Sequence, residues 1–137
     1  MKIPRAVIDT NVVVSAFRSR RGPAFALVSR IGSGFFEPSV SVPLVFEYEE
    51  VLRRATDLNE QEILAVLRFL CSVAHQQKIF YLWRPLLPDP KDDMVLELAV
   101  ASRSKFIVTY NQRDFTQAAQ FGIEPLVPEE LLRRIGV

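Results

Sequence analysis

The sequence predicts an α/β fold built on a parallel sheet, and two observations carry that prediction. Short β-prone runs alternate with longer segments of helical periodicity along the whole chain, the pattern of strands joined through helices that cover both faces of a parallel sheet. The first run, "IPRAVI", is mostly apolar, as a strand buried on both faces should be. The 137 residues suffice for one domain with a real core, and no repeat, linker or low-complexity segment interrupts them.

Taken in order, "IPRAVI" (residues 3–8) reads as a strand ended by Asp9, and residues 12–17 as a helix broken by "RSRRG". A second helix is expected from Pro23 to Ile31, closed by "GSG", and "FFEPSVS" carries the next β-prone residues. Ser41 is a good N-cap for the helix "VPLVFEYEEVLRR". Another helix is expected from Glu60 to about His75, with Ile63, Leu64, Leu67, Leu70 and Cys71 at helical spacing. "KIFYL" is a short strand candidate, followed by the turn-rich "RPLLPDPKDD". Asp89 suits the cap and Pro90 the first position of a helix through "MVLELAVASRS". "KFIVT" is a strand, "NQRDFTQAAQFG" a short helix closed by Gly122, "PLV" a strand and "PEELLRRIG" the last helix.

Composition narrows the chemistry. With 49% hydrophobic and 24% charged residues the chain is globular rather than disordered. A net charge of +1 gives no global attraction to nucleic acid, so any basic footprint is local. One cysteine, Cys71, and one histidine, His75, exclude a disulfide framework and a zinc site of several Cys or His ligands. They also disfavour a Ser-His or Cys-His hydrolase, and Cys71 is read as a small buried apolar residue. With no apolar run of membrane-spanning length and no signal-peptide pattern, the expectation is a cytoplasmic protein without a membrane partner.

The carboxylates carry the functional signal. Ligands of open parallel sheets bind beyond the carboxyl ends of the strands. Asp9 lies at such an end, and Asn111 and Asp114 follow "KFIVT" in the same way. In the helix after Ser41, Leu44, Val45, Tyr48, Val51 and Leu52 form one stripe. Glu47 falls at its edge, about 100° from the centre, whereas Glu50 points to solvent. Phe46 falls on the outward face, where a large aromatic needs a partner. In "DDMVLELAVAS" the stripe is Val95, Leu98, Ala99 and Ser102; Asp92 points within about 40° of its centre and Asp93 points away. An ionised carboxylate aimed inward is costly unless compensated, and a bound cation is one compensation. Each acid also has a bland reading: Asp9 as a helix cap, Asp92 and Asp93 as first-turn acids favoured by the helix dipole, Glu47, Glu49 and Glu50 as solvated charges with Glu49 and Glu50 pairing Arg53 or Arg54, and Asp114 as a turn residue.

Together, "VIDTNVVVSAF", "SVPLVFEYEEVLRR", "PDPKDDMVLELAVAS" and "FIVTYNQRDF" occur in the order found in PIN domains. From residue 3 to about 130 the chain resembles that family, in particular its small VapC-like toxin ribonucleases. The resemblance implies that residues 1–137 form a single PIN-like domain, a three-layer fold with a central parallel β-sheet flanked by helices. It implies acids gathered at one end to hold Mg²⁺ or Mn²⁺: Asp9 first, Glu47 second, and Asp92 or Asp93 third. Helical phase prefers Asp92, whereas alignment through the following strand can favour Asp93. Many members have Asp where this chain has Asn111, and Asp114, three residues on, also fits the pattern. Asn11 matches a polar position beside the first acid, and Thr109 belongs to the "VT-x-N-x-x-D-F" motif.

The implied activity is hydrolysis of single-stranded RNA by the toxin of a type II toxin–antitoxin pair, with an antitoxin and a second copy of the chain as protein partners. Asp9, Glu47, Asp92, Asp93 and Asp114 are the candidate catalytic residues, and all but Glu47 are candidate metal ligands. Arg18, Arg20 and Arg21 are candidate phosphate contacts, with a solvated basic loop as the bland alternative. The rival within the family is a catalytically weak or inactive module that binds RNA or protein, for which Asn111 is the best support. A HAD-like phosphatase expects Asp where Asn11 stands, and a phospho-receiver domain expects an acidic pair and a strand-end Lys that are not apparent.

Overall fold

A computed structural model describes residues 3–79 and 87–137. Among these, five strands form one all-parallel sheet: β1 (Arg5–Ile8), β2 (Glu37–Val40), β3 (His75–Gln76), β4 (Phe106–Val108) and β5 (Glu124–Leu126), in the order β3-β2-β1-β4-β5. The helices are α1 (Thr10–Arg18), α2 (Pro23–Val28), α3 (Val42–Ala55), α4 (Glu60–Val73), α5 (Pro90–Ala101) and α6 (Pro128–Arg134), with a 3₁₀ helix at Gln112–Phe121. The expected α/β class, parallel sheet and flanking helices are therefore present.

Sheet order follows from the connections. The chain steps from β1 to β2 to β3 in one direction, then returns across the sheet to β4 and β5. Right-handed crossovers put α1 to α4 on one face and α5 with the 3₁₀ helix on the other. Packing agrees: α1 lies on α2 and α3, α3 on α4, and α5 on the 3₁₀ helix. The direction reverses between β1 and β4, which are hydrogen-bonded neighbours through Ala6–Phe106, Val7–Ile107 and Ile8–Val108. A crevice opens at such a reversal beyond the strand ends, and Asp9 and Thr109 are the residues that leave those two strands there.

Local chemistry explains the element ends. Ser41 Oγ accepts from Leu44 N at 3.3 Å and caps α3 as expected. Asn59 and Glu62 form a reciprocal capping box on α4. Asp89 Oδ1 accepts from Lys91 N at 2.9 Å, with Pro90 opening α5. Gly122 ends the 3₁₀ helix at φ 73°, a left-handed conformation that favours glycine. The core unites both faces through Val7, Ile8, Leu44, Tyr48, Leu52, Leu96, Leu98 and Ile107.

Three elements differ from expectation. Helix α2 stops at Val28, because Arg30 N and Ile31 N turn back to Leu27 O and Val28 O in tighter bonds. Helix α4 ends at Val73, and His75 instead pairs with Ser39 as strand β3; sheet pairing overrides the helical periodicity. That strand precedes "KIFYL": Lys78 and Ile79 lie outside any strand, and residues 80–82 lie outside the described residues. Among the described residues, no helix is long and apolar enough to cross a membrane.

Candidate metal centre at the strand exits

Asp9 is the best-held polar group at the sheet's carboxyl end. Its backbone N–H continues the sheet, donating to Val108 O at 2.9 Å. Its side chain caps α1, with Oδ1 accepting from Thr10 N at 2.8 Å. Oδ2 accepts from Thr109 Oγ1 at 2.8 Å and more distantly from Asn11 Nδ2 at 3.4 Å. The cap reading of Asp9 is thus correct and incomplete, since a cap needs one oxygen and the other is oriented by residues from two different strand exits. Asn11 Oδ1 accepts in turn from Tyr110 N at 3.3 Å, and Thr109 Oγ1 accepts from Asn111 N at 3.0 Å. These bonds fix the β4 exit onto the β1 exit.

The carboxylate is only 6% exposed. Burial pushes its pKa up; the bonds from Thr109 and Thr10 oppose that rise, and repulsion from Asp114 and Asp89 adds to it. Asp92, in the first turn of α5, is pushed up to about 7, by burial first and then by Asp9, Asp89, Asp114 and Asp93. Acids from three separate segments therefore share one electrostatic environment in which negative charge is under-compensated.

The adjacent acids Asp92 and Asp93 are both half-buried in the first turn of α5. Asp93 Oδ1 accepts from Leu87 N at 3.0 Å and braces the chain entering α5, while Asp92 shares the field of Asp9. Asp114 is exposed at the start of the 3₁₀ helix and acts on both Asp9 and Asp92. Asn111 caps that helix without a side-chain hydrogen bond. Glu47 is half-buried on α3, and its Oε2 lies 3.3 Å from Lys91 Nζ. Arg18, Arg20 and Arg21 are exposed. Arg18 ends the nine-residue α1 and Arg20 and Arg21 follow it, about 13 Å along the helix axis from Asp9.

Two residues escaped the sequence reading. Asp89 was visible only as a cap, yet its charge acts on both Asp9 and Asp92. Tyr48 was visible only as part of a core stripe. Its fully buried hydroxyl donates to Ile8 O, the carbonyl just before Asp9, and burial together with Asp9 raises its pKa. The available signal was chemical: a buried tyrosine needs a partner for its hydroxyl.

Among the described residues no three acidic, His or Cys side chains already close around a common point. The donor set is nonetheless the one a hard cation takes: carboxylate, hydroxyl and amide oxygens. Mg²⁺ fills its remaining positions with water and substrate phosphate. The raised pKa of Asp92 is the local observation that a cation there would meet, because positive charge would relieve the repulsion holding it.

A family model described as the PIN domain matches residues 5–113, which span every residue of this cluster except Asp114. The chain belongs to the PIN domain family. Its fold is similar to a chain in the crystal structure of VapBC2 from Rickettsia felis bound to a DNA fragment from their promoter. That similarity has a TM-score of 0.59 at 12% identity and covers 88% of this chain and 96% of that one. At such identity the likeness concerns the fold. No curated protein matches the chain. For this PIN domain, the acids at the β1 and β4 exits are the place to look for chemistry.

Proposed function

We infer that this PIN domain is a divalent-metal-dependent endoribonuclease cleaving single-stranded RNA, the toxin of a type II toxin–antitoxin pair acting in the cytoplasm. The observation that carries the reading is Asp9, buried and oriented by Thr109 and Thr10, in the same field as Asp92 and Asp114. Asp9, Asp92 and Asp114 would hold Mg²⁺ or Mn²⁺, with Asp93 bracing the turn. Bound there, the ion supplies Lewis acidity toward water and the scissile phosphate.

The remaining work belongs to the chain. Thr109 and Asn11 keep the Asp9 carboxylate in one orientation, and Tyr48 fixes the end of β1 behind it. Glu47, on the α3 side of the cleft, orients the attacking water. The only imidazole, that of His75, is hydrogen-bonded to Gln77 at 2.9 Å and belongs to the edge strand β3. The catalytic geometry therefore rests on carboxylates. Arg18, Arg20 and Arg21 would meet phosphates of an RNA extending about one helix length from the cut, and Arg113 lies beside Asp114. Exposed Phe46 and Phe69, with the apolar groove lined by Phe17, Phe25, Val66 and Phe69, offer surfaces for an antitoxin and for a second copy of the chain.

The second reading, a weak or inactive RNA- or protein-binding module, draws on Asn111, which stands where many relatives carry Asp. Against it, Asp114 already brings negative charge to Asp9 and Asp92. Cleavage of a mixed single-stranded RNA pool with Mg²⁺, Mn²⁺ or EDTA, beside Asp9→Asn, separates the two. Metal-dependent cutting lost in the variant supports the nuclease; metal binding without cutting of any RNA supports the module.

A further inference from the structure

The amino ends of the strands open onto a cleft of about 870 Å³, within the size of sites that hold small organic ligands. Among the described residues its wall carries one acid, Glu37, and four cations, Arg5, Arg103, Lys105 and Arg134. Two of the cations are committed within the chain. Arg5 holds Glu37 at 2.6 Å and Ser102 O at 2.9 Å, and Arg134 holds Glu124 and Glu130. Arg103 and Lys105 are exposed and pair with no acid among the described residues, and residues 1–2 and 80–86, outside them, contain none. They alternate with the buried Ser102, Ser104 and Phe106, so both charges stand on the cleft.

The backbone adds an independent observation. Helix α5 ends in a turn where Ser104 N donates to Ala99 O at 2.9 Å and Arg103 N to Val100 O at 3.1 Å. That turn needs a left-handed residue, the usual place of glycine, and this chain puts Arg103 there at φ 55°. It is the one non-glycine residue with positive φ among the described residues. A cation suits a helix C-terminus anywhere in the last turn, so the helix end alone does not require arginine at the strained position. The side chain gained there adds a planar fork of donors to the point charge of Lys105, and two positive charges match a phosphate dianion. Ile3, Pro4 and Ile135 supply apolar wall beside them. We propose that this cleft binds a nucleotide-sized phosphate monoester, its phosphate between Arg103 and Lys105 and its uncharged body against Ile3 and Ile135. The site stands at the opposite end of the sheet from Asp9 and does not depend on the acids there.

Calorimetric titration of the full chain with inorganic phosphate and with adenosine 5′-monophosphate, in EDTA at neutral pH, tests this. The wild type should bind the nucleotide at a single site and more tightly than phosphate. Arg103→Gly relieves the backbone strain and should fold as well as the wild type. That variant and Lys105→Gln should each weaken nucleotide binding about tenfold or more, whereas replacing Arg18, Arg20 and Arg21 by Ala should leave it unchanged. No saturable binding by the wild type, equal affinity for both probes, or full affinity in Arg103→Gly and Lys105→Gln would each overturn the proposal. Binding lost only in the Arg18, Arg20 and Arg21 variant would put the anion on that loop and overturn it too. RNA cleavage with Mn²⁺ should be the same in Arg103→Gly as in the wild type; its loss would overturn the separation of this cleft from the acids.

Discussion

The two ends of the sheet use the same kinds of residue and treat charge in opposite ways. At the amino ends of the strands, each of the acids Glu37, Glu124 and Glu130 is met by an arginine. Arg5 Nε reaches Glu37 Oε1 at 2.6 Å, and Arg134 reaches Glu124 at 2.7 Å and Glu130 at 3.0 Å. Lys105 and Arg134 lie over the ring of Phe106 there, at 5.4 and 6.0 Å from its centroid. At the carboxyl ends, Asp9, Asp89, Asp92 and Asp114 act on one another instead, and the nearby Lys91 pairs with Glu47. One end pairs each of these acids with a cation of the chain and carries Arg103 and Lys105 besides. The other keeps a net negative charge that something from outside must balance, and this difference, more than the presence of acids, marks the functional end.

The comparison can be broken from either side. The largest effect is expected at Thr109, the buried hydroxyl that orients Asp9 from the neighbouring strand exit. Thr109→Val should lower RNA cleavage and Mn²⁺ affinity by about 10–100-fold and cost about 1–2 kcal/mol in denaturant unfolding, while Thr109→Ser should restore most of both. Equal cleavage by Thr109→Val would remove the oriented-acid account of Asp9.

A smaller effect follows from Asp92, whose pKa rises from 3.8 unfolded to about 7 folded. Between those values the folded chain keeps a proton that the unfolded chain has lost, so stability in the absence of metal should fall as pH rises from about 4 to 7. The carboxylate is partly open to solvent, so the discounted size is about 1 kcal/mol, or a few degrees in Tm. Melting curves of wild type and Asp92→Asn across that range check it. The variant should show a flatter profile and melt higher at pH 7; parallel profiles would mean that the acids do not repel.

The smallest effect belongs to the end whose acids are paired. Arg5→Met removes a pair whose side chains are each about one-third exposed. It should change stability by about 1 kcal/mol or less and leave metal affinity and cleavage at wild-type values. A large loss of cleavage there would mean that the two ends are not functionally separate.

Much of this contrast was legible in the sequence, for reasons that differ by residue. Asp9 was found because a continuous apolar strand stops at it, and Asp92 was preferred to Asp93 because a helix assigns directions every residue. Asp89 was missed as a member of the cluster because a cap residue has non-helical backbone angles, φ −97° and ψ 123° here. Helical phase cannot aim its side chain, and where its charge acts depends on how α5 docks on the sheet. Tyr48 followed the helical stripe correctly, but its bond to Ile8 O joins residues 40 apart in sequence. The strand at His75 was hidden for a similar reason: two residues carry no period, and only pairing with Ser39 defines them. The alternation of strands and helices survived these misses because each buried strand is specified by its own apolar run.

The central claim is that the acids around Asp9 repel one another until a cation joins them. Thermal melting of wild type and Asp9→Asn at pH 7, with and without saturating Mn²⁺, tests it most directly. Without metal, Asp9→Asn should melt above the wild type, because it removes a buried charge while keeping an oxygen that can cap α1 and an amide group that can donate to Thr109 Oγ1. With Mn²⁺ the wild type should rise and overtake it, and the variant should barely move. A wild type whose melting point is unchanged by Mn²⁺, or a variant that melts lower in the absence of metal, would contradict the account.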